Sequence, residues 1–105
     1  MAVTVVYSEL AASDLQSIYN YISKDSVYYA KRELSLIRTA VKKLKNNVFL
    51  GRMFEDFNDE LNRELIYRNY RIFYDISPDH KKVEIITIHH HSRLLTNNPA
   101  FTDED

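Results

Sequence analysis

The segment from Asn62 to Arg93 constrains the fold most, because apolar and polar residues alternate through three consecutive runs in it. Alternation with a period of two, rich in β-branched and aromatic residues, predicts β-strands over residues 63–68, 70–77 and 82–91. Asn69 marks the first turn, and Pro78-Asp79-His80 marks the second. Two long strands joined by about four residues form a hairpin. The sequence therefore predicts an antiparallel meander.

Two stretches with helical periodicity precede this meander. A β-branched run at residues 2–7 predicts a first strand, and Ser8 is placed to cap a helix over residues 9–23. The apolar stripe of that helix is Leu15, Ile18, Tyr19 and Ile22. A second helix is predicted over residues 27–46 with Asp25 or Ser26 as its cap, and its apolar stripe is Ala30, Leu34, Ile37, Val41 and Leu44. Residues 53–57 are expected to form a short edge strand or to be irregular.

The order of these elements predicts an α+β fold. Few residues separate the two helices, so we expect an antiparallel helical hairpin. That hairpin would cover one face of an antiparallel sheet built mainly from the three-strand meander. The 105 residues are expected to form one domain over positions 1–105.

Composition limits the function classes that this chain can belong to. The sequence has no Cys and a single Gly, which argues against thiolate metal sites and glycine-rich phosphate loops. The N-terminus does not resemble a signal peptide, and no apolar run approaches the ~18 residues that span a membrane. We therefore expect a cytoplasmic protein without a cofactor. The net charge is −1, but residues 24–45 contain seven basic residues against two acidic ones, so any polyanion site must arise from segregation of charge by face.

The end of the meander collects residues that could cleave RNA without a metal. Histidine suits proton transfer near neutral pH, and arginine binds phosphate in a bidentate manner. The candidates are Arg71, His89, His90, His91 and Arg93, with Tyr67 or Tyr74 nearby. Because strand residues alternate in direction, at most two of the three histidines share a face with Arg71. The alternative is that one histidine packs, one caps the sheet edge and one is solvated; a metal site at His89 and His91 is not expected.

Other charged residues also have two interpretations. Arg71 either forms an ion pair with Glu64 or Asp75, or faces a concave surface. Arg63 and Glu64 are expected to serve the fold or each other, and Arg52 to anchor a loop. The basic face of the second helix is either solvated or meets an acidic partner. The candidate binding residues are Arg52, Arg63, Tyr67, Arg68, Lys42 and Lys45.

Several short motifs occur in a fixed order along nearly the whole chain. They are Ala12 with Asp14-Leu15, Ile18 and Tyr21-Ile22, then Gly51-Arg52, Arg63-Glu64-Leu65, Tyr70-Arg71-Ile72-Phe73-Tyr74, and His90-x-x-Arg93. In this order and spacing they resemble the RelE/ParE superfamily of small bacterial toxins from type II toxin–antitoxin modules. The resemblance implies a toxin that is silenced in a hetero-oligomer with an antitoxin encoded beside it.

The superfamily divides by target, and the resemblance favours the ParE-like group. RelE-like members cleave mRNA in the ribosomal A site without a metal, whereas ParE-like members poison DNA gyrase. Arg71 matches an arginine that RelE-type toxins use on the transition-state phosphate, but Asp59-Glu60 and Glu64 stand where RelE carries lysines. We therefore expect a ParE-like toxin that binds DNA gyrase. The alternatives are an inactive family member and a ribosome-dependent mRNA endonuclease that uses Arg71, His90, Arg93, His91 and Tyr74.

Overall fold

The computed structural model describes residues 2–54, 59–90 and 100, and it confirms the α+β class. The elements are β1 (Thr4–Tyr7), α1 (Glu9–Ser23), α2 (Val27–Lys42), a 3₁₀ turn (Lys43–Lys45), β2 (Arg52–Met53), β3 (Asn62–Tyr67), β4 (Tyr70–Ile76) and β5 (Lys82–His90). Neither helix in this part of the chain is long and apolar enough to cross a membrane.

The five strands form one mixed sheet in the order β1-β5-β4-β3-β2. Neighbouring strands from β2 to β5 pair antiparallel. The sequence predicted this arrangement for the meander of β3, β4 and β5. Strand β1 instead pairs with β5 in a parallel manner, with Thr4 opposite Lys82. The sheet is therefore mixed rather than antiparallel throughout, because the helical hairpin between β1 and the meander is long enough to act as a crossover connection.

Serine side chains set the first residues of both helices. The Ser8 hydroxyl accepts a hydrogen bond from the Ala11 N–H at 3.0 Å and donates one to the Ile86 carbonyl at 2.6 Å. The Ser26 hydroxyl accepts from the Tyr29 N–H at 3.2 Å. These bonds satisfy N–H groups that lack a partner within the helix. The bounds of α1 match the predicted helix over 9–23.

The second helix ends earlier than predicted. Helix α2 stops at Lys42, and the 3₁₀ turn carries the chain to Lys45. Leu44 within this turn is fully buried. The apolar spacing therefore continues past the end of the α-helix, which explains why the sequence predicted one helix to residue 46.

The core lies between the helical hairpin and one face of the sheet. The helices and the 3₁₀ turn contribute Leu15, Ile37, Val41 and Leu44, and the sheet contributes Ile72, Tyr74, Ile76, Val83, Ile85 and Ile88. The Asp14 carboxylate on α1 accepts hydrogen bonds from the Thr87 hydroxyl at 2.5 Å and the Ile88 N–H at 2.9 Å. This contact joins α1 to β5 just beyond a register shift in the β4–β5 pairing.

Candidate functional site

A buried carboxylate occupies the face of the sheet that points away from the helices. Glu64 lies opposite Phe73 in the β3–β4 pairing, and Phe73 alternates with the core residue Tyr74, so both side chains point away from the core. Glu64 is only 3% exposed. Arg52 contacts Oε1 through Nε and Nη2, both at 2.7 Å, and Arg71 contacts Oε2 through Nε at 3.0 Å and Nη2 at 2.7 Å.

The Arg71 side chain is held in place by Glu64 and by two aromatic rings. Its guanidinium carbon lies 5.0 Å from the Phe73 ring centre and 5.9 Å from that of Phe54. Its side chain is 20% exposed. Of the two predicted interpretations, the ion pair with Glu64 is confirmed. Bidentate pairing and stacking on rings are the interactions that arginine makes more favourably than lysine.

Arg63 does not pair with its neighbour Glu64, because consecutive strand residues point to opposite faces. Its Nε donates to the Glu60 carbonyl at 2.8 Å and its Nη1 to the Gly51 carbonyl at 3.0 Å. The guanidinium also lies over the Phe49 ring, 4.8 Å from its centre. Arg63 thus serves the fold by holding the loop that leads into β2.

The Tyr74 hydroxyl anchors the same loop from inside the core. It accepts a hydrogen bond from the Gly51 N–H at 2.9 Å and donates one to the Val48 carbonyl at 2.8 Å. Burial raises the pKa of Tyr74 above its usual value, and the Gly51 hydrogen bond and the Arg63 charge oppose that rise only in part. The hydroxyl therefore stays protonated at neutral pH, and both of its hydrogen bonds are made to the backbone.

Replacing Tyr74 with Phe should lower the free energy of unfolding by about 1–3 kcal/mol, because the Gly51 N–H and the Val48 carbonyl lose a buried partner. Urea denaturation followed by circular dichroism measures this change. Tyr21→Phe is the matched control, since the Tyr21 side chain is 72% exposed, and it should change stability by less than ~0.5 kcal/mol. Equal effects of the two substitutions would show that the buried hydroxyl contributes nothing.

The strand pairing separates the histidines. Arg71 lies opposite His89, and Tyr70 lies opposite His90. His89 is buried on the same side of the sheet as Arg71. His90 stands on the helix side, with its ring 5.6 Å from Tyr70 in an edge-to-face contact, and it lines a cleft of about 260 Å³ with Asp14.

The structure therefore does not bring Arg71 and His90, which the sequence grouped in one catalytic centre, onto the same face of the sheet. Neighbouring residues of one strand point to opposite faces, and the register assigns the shared face to His89. Two further members of the predicted catalytic set, His91 and Arg93, lie outside the described residues. Glu64 is the residue that sequence reasoning undervalued. The sequence did contain a signal for it: Glu64 is a carboxylate in the alternating pattern of one predicted strand, and the next strand carries Arg71.

The predicted binding residues are spread over several elements. Arg68, in the β3–β4 turn with φ 53°, lies 3.5 Å from Glu33 on α2 and 5.5 Å from the Tyr67 ring centre. Lys42 and Lys45 are exposed at the end of α2 and in the 3₁₀ turn. Arg52 is 67% exposed but is ion-paired with Glu64. These residues thus lie on β2, β3, the β3–β4 turn, α2 and the 3₁₀ turn.

Asp75 lies close to other acidic groups on the face of the sheet that points away from the helices. Burial raises its pKa above the usual value, and the negative charges of Glu84 and Asp59 raise it further. Glu84 is its direct cross-strand neighbour. Like charges placed opposite each other destabilise a sheet.

An Asp75→Asn protein should be more stable than wild type at neutral pH. A carboxyl whose folded-state pKa is raised stabilises the fold below its unfolded pKa and loses that contribution as pH rises through the folded pKa. The gain from the amide should therefore shrink as pH falls towards 3.8, the ordinary value. Urea midpoints of both proteins at several pH values measure this dependence. A gain that grows at acid pH would contradict the assignment.

Within the described part of the chain, no group of three or more His, Cys, Asp or Glu side chains is placed to hold a metal ion. The polar contacts of the candidate site are instead made among the protein's own side chains and backbone. Glu64, Arg71 and Tyr74 all have their hydrogen-bonding groups directed at other parts of the chain.

Comparison with known proteins identifies the family. A model of the ParE toxin of the parDE type II toxin–antitoxin system matches residues 5–95. A chain of a chromosomal ParDE system from P. aeruginosa superposes with a TM-score of 0.68 at 21% identity, over 84% of this chain and 95% of that one. A chain of the RelBE2 toxin–antitoxin complex from Mycobacterium tuberculosis gives a TM-score of 0.62 at 19% identity, over 86% and 99%. No curated protein sequence matches. The family match covers most of the chain, and the chain belongs to the ParE toxin family of type II toxin–antitoxin systems.

Proposed function

We propose that this toxin inhibits growth by binding DNA gyrase and that a cognate antitoxin neutralises it. Membership of the ParE toxin family over residues 5–95 supports a ParE-like target. The two similar structures come from a ParDE system and a RelBE2 toxin–antitoxin complex, which supports a protein antitoxin as partner. Binding, rather than bond cleavage, is the activity that the described residues favour.

The observation that carries this choice is the pairing of Arg71 with Glu64. Stabilising a phosphate in a cleavage reaction requires an arginine whose donors can reach the substrate oxygens. The Nε and Nη2 donors of Arg71 instead contact Oε2 of a carboxylate that is itself only 3% exposed. A substrate phosphate would therefore compete with this carboxylate for the Nε and Nη2 donors.

Tyr74 and His90, two other residues of the alternative endonuclease site, do not lie beside the Arg71 guanidinium. The Tyr74 hydroxyl is buried and bonded to Val48 and Gly51. His90 lies on the side of the sheet opposite to Arg71. The described acid–base candidates thus do not converge on one phosphate, which favours a toxin that acts through its surface.

The direct test is supercoiling of relaxed plasmid by DNA gyrase in the presence of the purified chain. We expect inhibition at micromolar concentrations. Relaxation of the supercoiled form of the same plasmid by a type I topoisomerase is the control, and it should be unaffected at the same concentration. Failure to inhibit gyrase, or equal inhibition of both enzymes, would count against gyrase as the target.

The antitoxin is tested with the product of the neighbouring reading frame. We expect a protein of roughly 70–90 residues with a disordered segment that orders on binding. Its addition at equimolar concentration should restore supercoiling, and the two chains should co-elute in size-exclusion chromatography. Persistent inhibition by a co-eluting complex would contradict neutralisation.

The endonuclease alternative is tested by primer extension on translating ribosomes. We expect no cut in the A site. A cut that Arg71→Ala slows by ~10²-fold or more would replace the gyrase proposal with mRNA cleavage, since loss of one transition-state contact has about that effect.

A further inference from the structure

The outward face of α2 and the 3₁₀ turn is strongly basic. All six of its cationic side chains are exposed: Lys31, Arg32, Arg38, Lys42, Lys43 and Lys45. Glu33, the one acidic residue of α2, is 19% exposed and ion-paired with Arg68. The whole chain has a net charge of −1, so this positive face results from segregation of charge and not from an overall excess.

A shallow groove runs between α1 and α2 beside these cations. It has a volume of about 410 Å³, and its α2 wall presents Lys31, Arg38 and Lys42 together with the hydroxyls of Ser35 and Thr39. No acidic residue is among the described residues that line it. Ammonium, guanidinium and hydroxyl groups are the side-chain donors that proteins use most against phosphate oxygens.

We propose that this basic face binds the phosphate backbone of duplex DNA. Helix α2 has 16 residues, which correspond to about 24 Å at 1.5 Å per residue. A cationic stripe of this length can contact several successive phosphates of a duplex, whose charges recur about every 1.7 Å along the axis. Binding of this kind recognises charge and shape and does not read base sequence.

Charge alone would also fit an acidic protein, but the pattern of exposed residues favours DNA. Protein interfaces gain most of their affinity from large apolar or aromatic anchors near the centre of the contact. Here the exposed apolar residues of α2, Val27, Tyr28 and Tyr29, are confined to its first turn. Along the rest of the outward face the positions between the cations include Ser35 and Thr39.

The choice of DNA over RNA rests on the proposed function, because gyrase is an enzyme that holds duplex DNA. The toxin would then contact the DNA segment beside the enzyme through α2. The sheet face around Glu64 is not needed for this contact, since it lies on the opposite side of the sheet from the helices.

The test is the salt dependence of binding to a fluorescently labelled DNA duplex, measured by anisotropy. The logarithm of the binding constant should fall linearly with the logarithm of salt concentration, with a slope of about −3.6 to −5.4 if four to six phosphates are contacted. Arg38→Gln/Lys42→Gln should reduce the magnitude of that slope by about 2 and weaken binding at about 50 mM salt by at least tenfold.

The matched control is Lys81→Gln/Lys82→Gln, which removes the same charge from exposed positions before and at the start of β5. It should bind within about twofold of wild type. Circular dichroism and urea denaturation of both variants show that the fold is kept. Equal weakening by the two variants, or absence of salt-dependent binding by wild type, would overturn the proposal.

Two further probes separate this inference from the proposed function. A poly-glutamate peptide or an RNA duplex that binds through Arg38 and Lys42 while DNA does not would overturn the assignment to DNA. Gyrase inhibition without DNA binding would contradict the proposal that the basic face binds DNA, and it would leave the proposed function intact. DNA binding through α2 without gyrase inhibition would support the basic face and remove gyrase as the target.

Discussion

A Glu64→Gln protein is expected to have a free energy of unfolding about 3 kcal/mol lower than that of wild type. Removing one partner of a buried ion pair leaves the other charge without compensation, which typically costs about 3–5 kcal/mol. Glu64 holds two guanidinium groups at once. The lower end of the range applies because the Arg52 side chain is 67% exposed and can be solvated, whereas that of Arg71 is 20% exposed.

Urea denaturation followed by far-ultraviolet circular dichroism measures this loss. Glu60→Gln is the matched control, because it makes the same substitution at an exposed position. Its free energy of unfolding should stay within ~0.5 kcal/mol of wild type. A loss below ~1 kcal/mol for Glu64→Gln would mean that the carboxylate does not organise this face of the sheet.

Gly51→Ala is the second substitution with a large expected effect, about 2–3 kcal/mol of destabilisation. A Cβ atom at this position would stand 2.5 Å from the Glu64 carbonyl oxygen, 2.9 Å from its carbonyl carbon and 2.8 Å from the Tyr74 hydroxyl. Two of these atoms are backbone of β3 and cannot rotate away. Relief would require the loop to move, but Gly51 also bonds to Tyr74 through its N–H and to Arg63 through its carbonyl.

The same denaturation experiment checks this prediction with Leu50→Ala as the neighbouring control. Leu50 is 44% exposed, so its truncation should cost no more than ~1 kcal/mol. If Gly51→Ala is no more destabilising than Leu50→Ala, the close approach of this loop to β3 is not a constraint on the fold.

Local patterns in the sequence were sufficient to predict most of the elements. The bounds of α1 follow from an apolar stripe with helical spacing and from a capping serine, Ser8, whose cap bond is present. The three strands of the meander follow from alternation and turn residues. The end of α2 was missed because Leu44 in the 3₁₀ turn is buried as an α-helical residue would be, so apolar spacing does not distinguish the two helix types.

Features set by pairing between distant segments could not be read from the sequence. The parallel pairing of β1 with β5 depends on how the helical hairpin crosses the sheet. Alternation shows that His89 and His90 point apart, but only the β4–β5 register shows which of them shares a face with Arg71. Likewise, the partners of Glu64 come from two strands that flank β3, Arg52 on β2 and Arg71 on β4.

The two sides of the molecule thus have different properties. On the face of the sheet that points away from the helices, Glu64 is neutralised by two arginines, whereas Asp75 lies beside the like charges of Glu84 and Asp59. On the helical side, α2 presents exposed cations beside a groove that no acidic residue lines among the described residues. A toxin that acts by binding would be expected to use the second kind of surface, and the first to keep the sheet rigid.

Activity of the variant Glu64→Gln/Arg71→Met tests most directly whether this ion pair is structural and the toxin acts by binding; it removes the buried pair and leaves only Arg52, whose side chain is 67% exposed. Replacing both partners of a buried pair with uncharged residues of similar size is often nearly neutral for stability. Under the proposed function, we predict a folded protein whose inhibition of gyrase stays within about threefold of wild type. A folded variant whose inhibitory activity falls by ~10² or more, which corresponds to about 2.7 kcal/mol of lost binding free energy, would contradict this and show that Glu64 and Arg71 take part in the toxin's action.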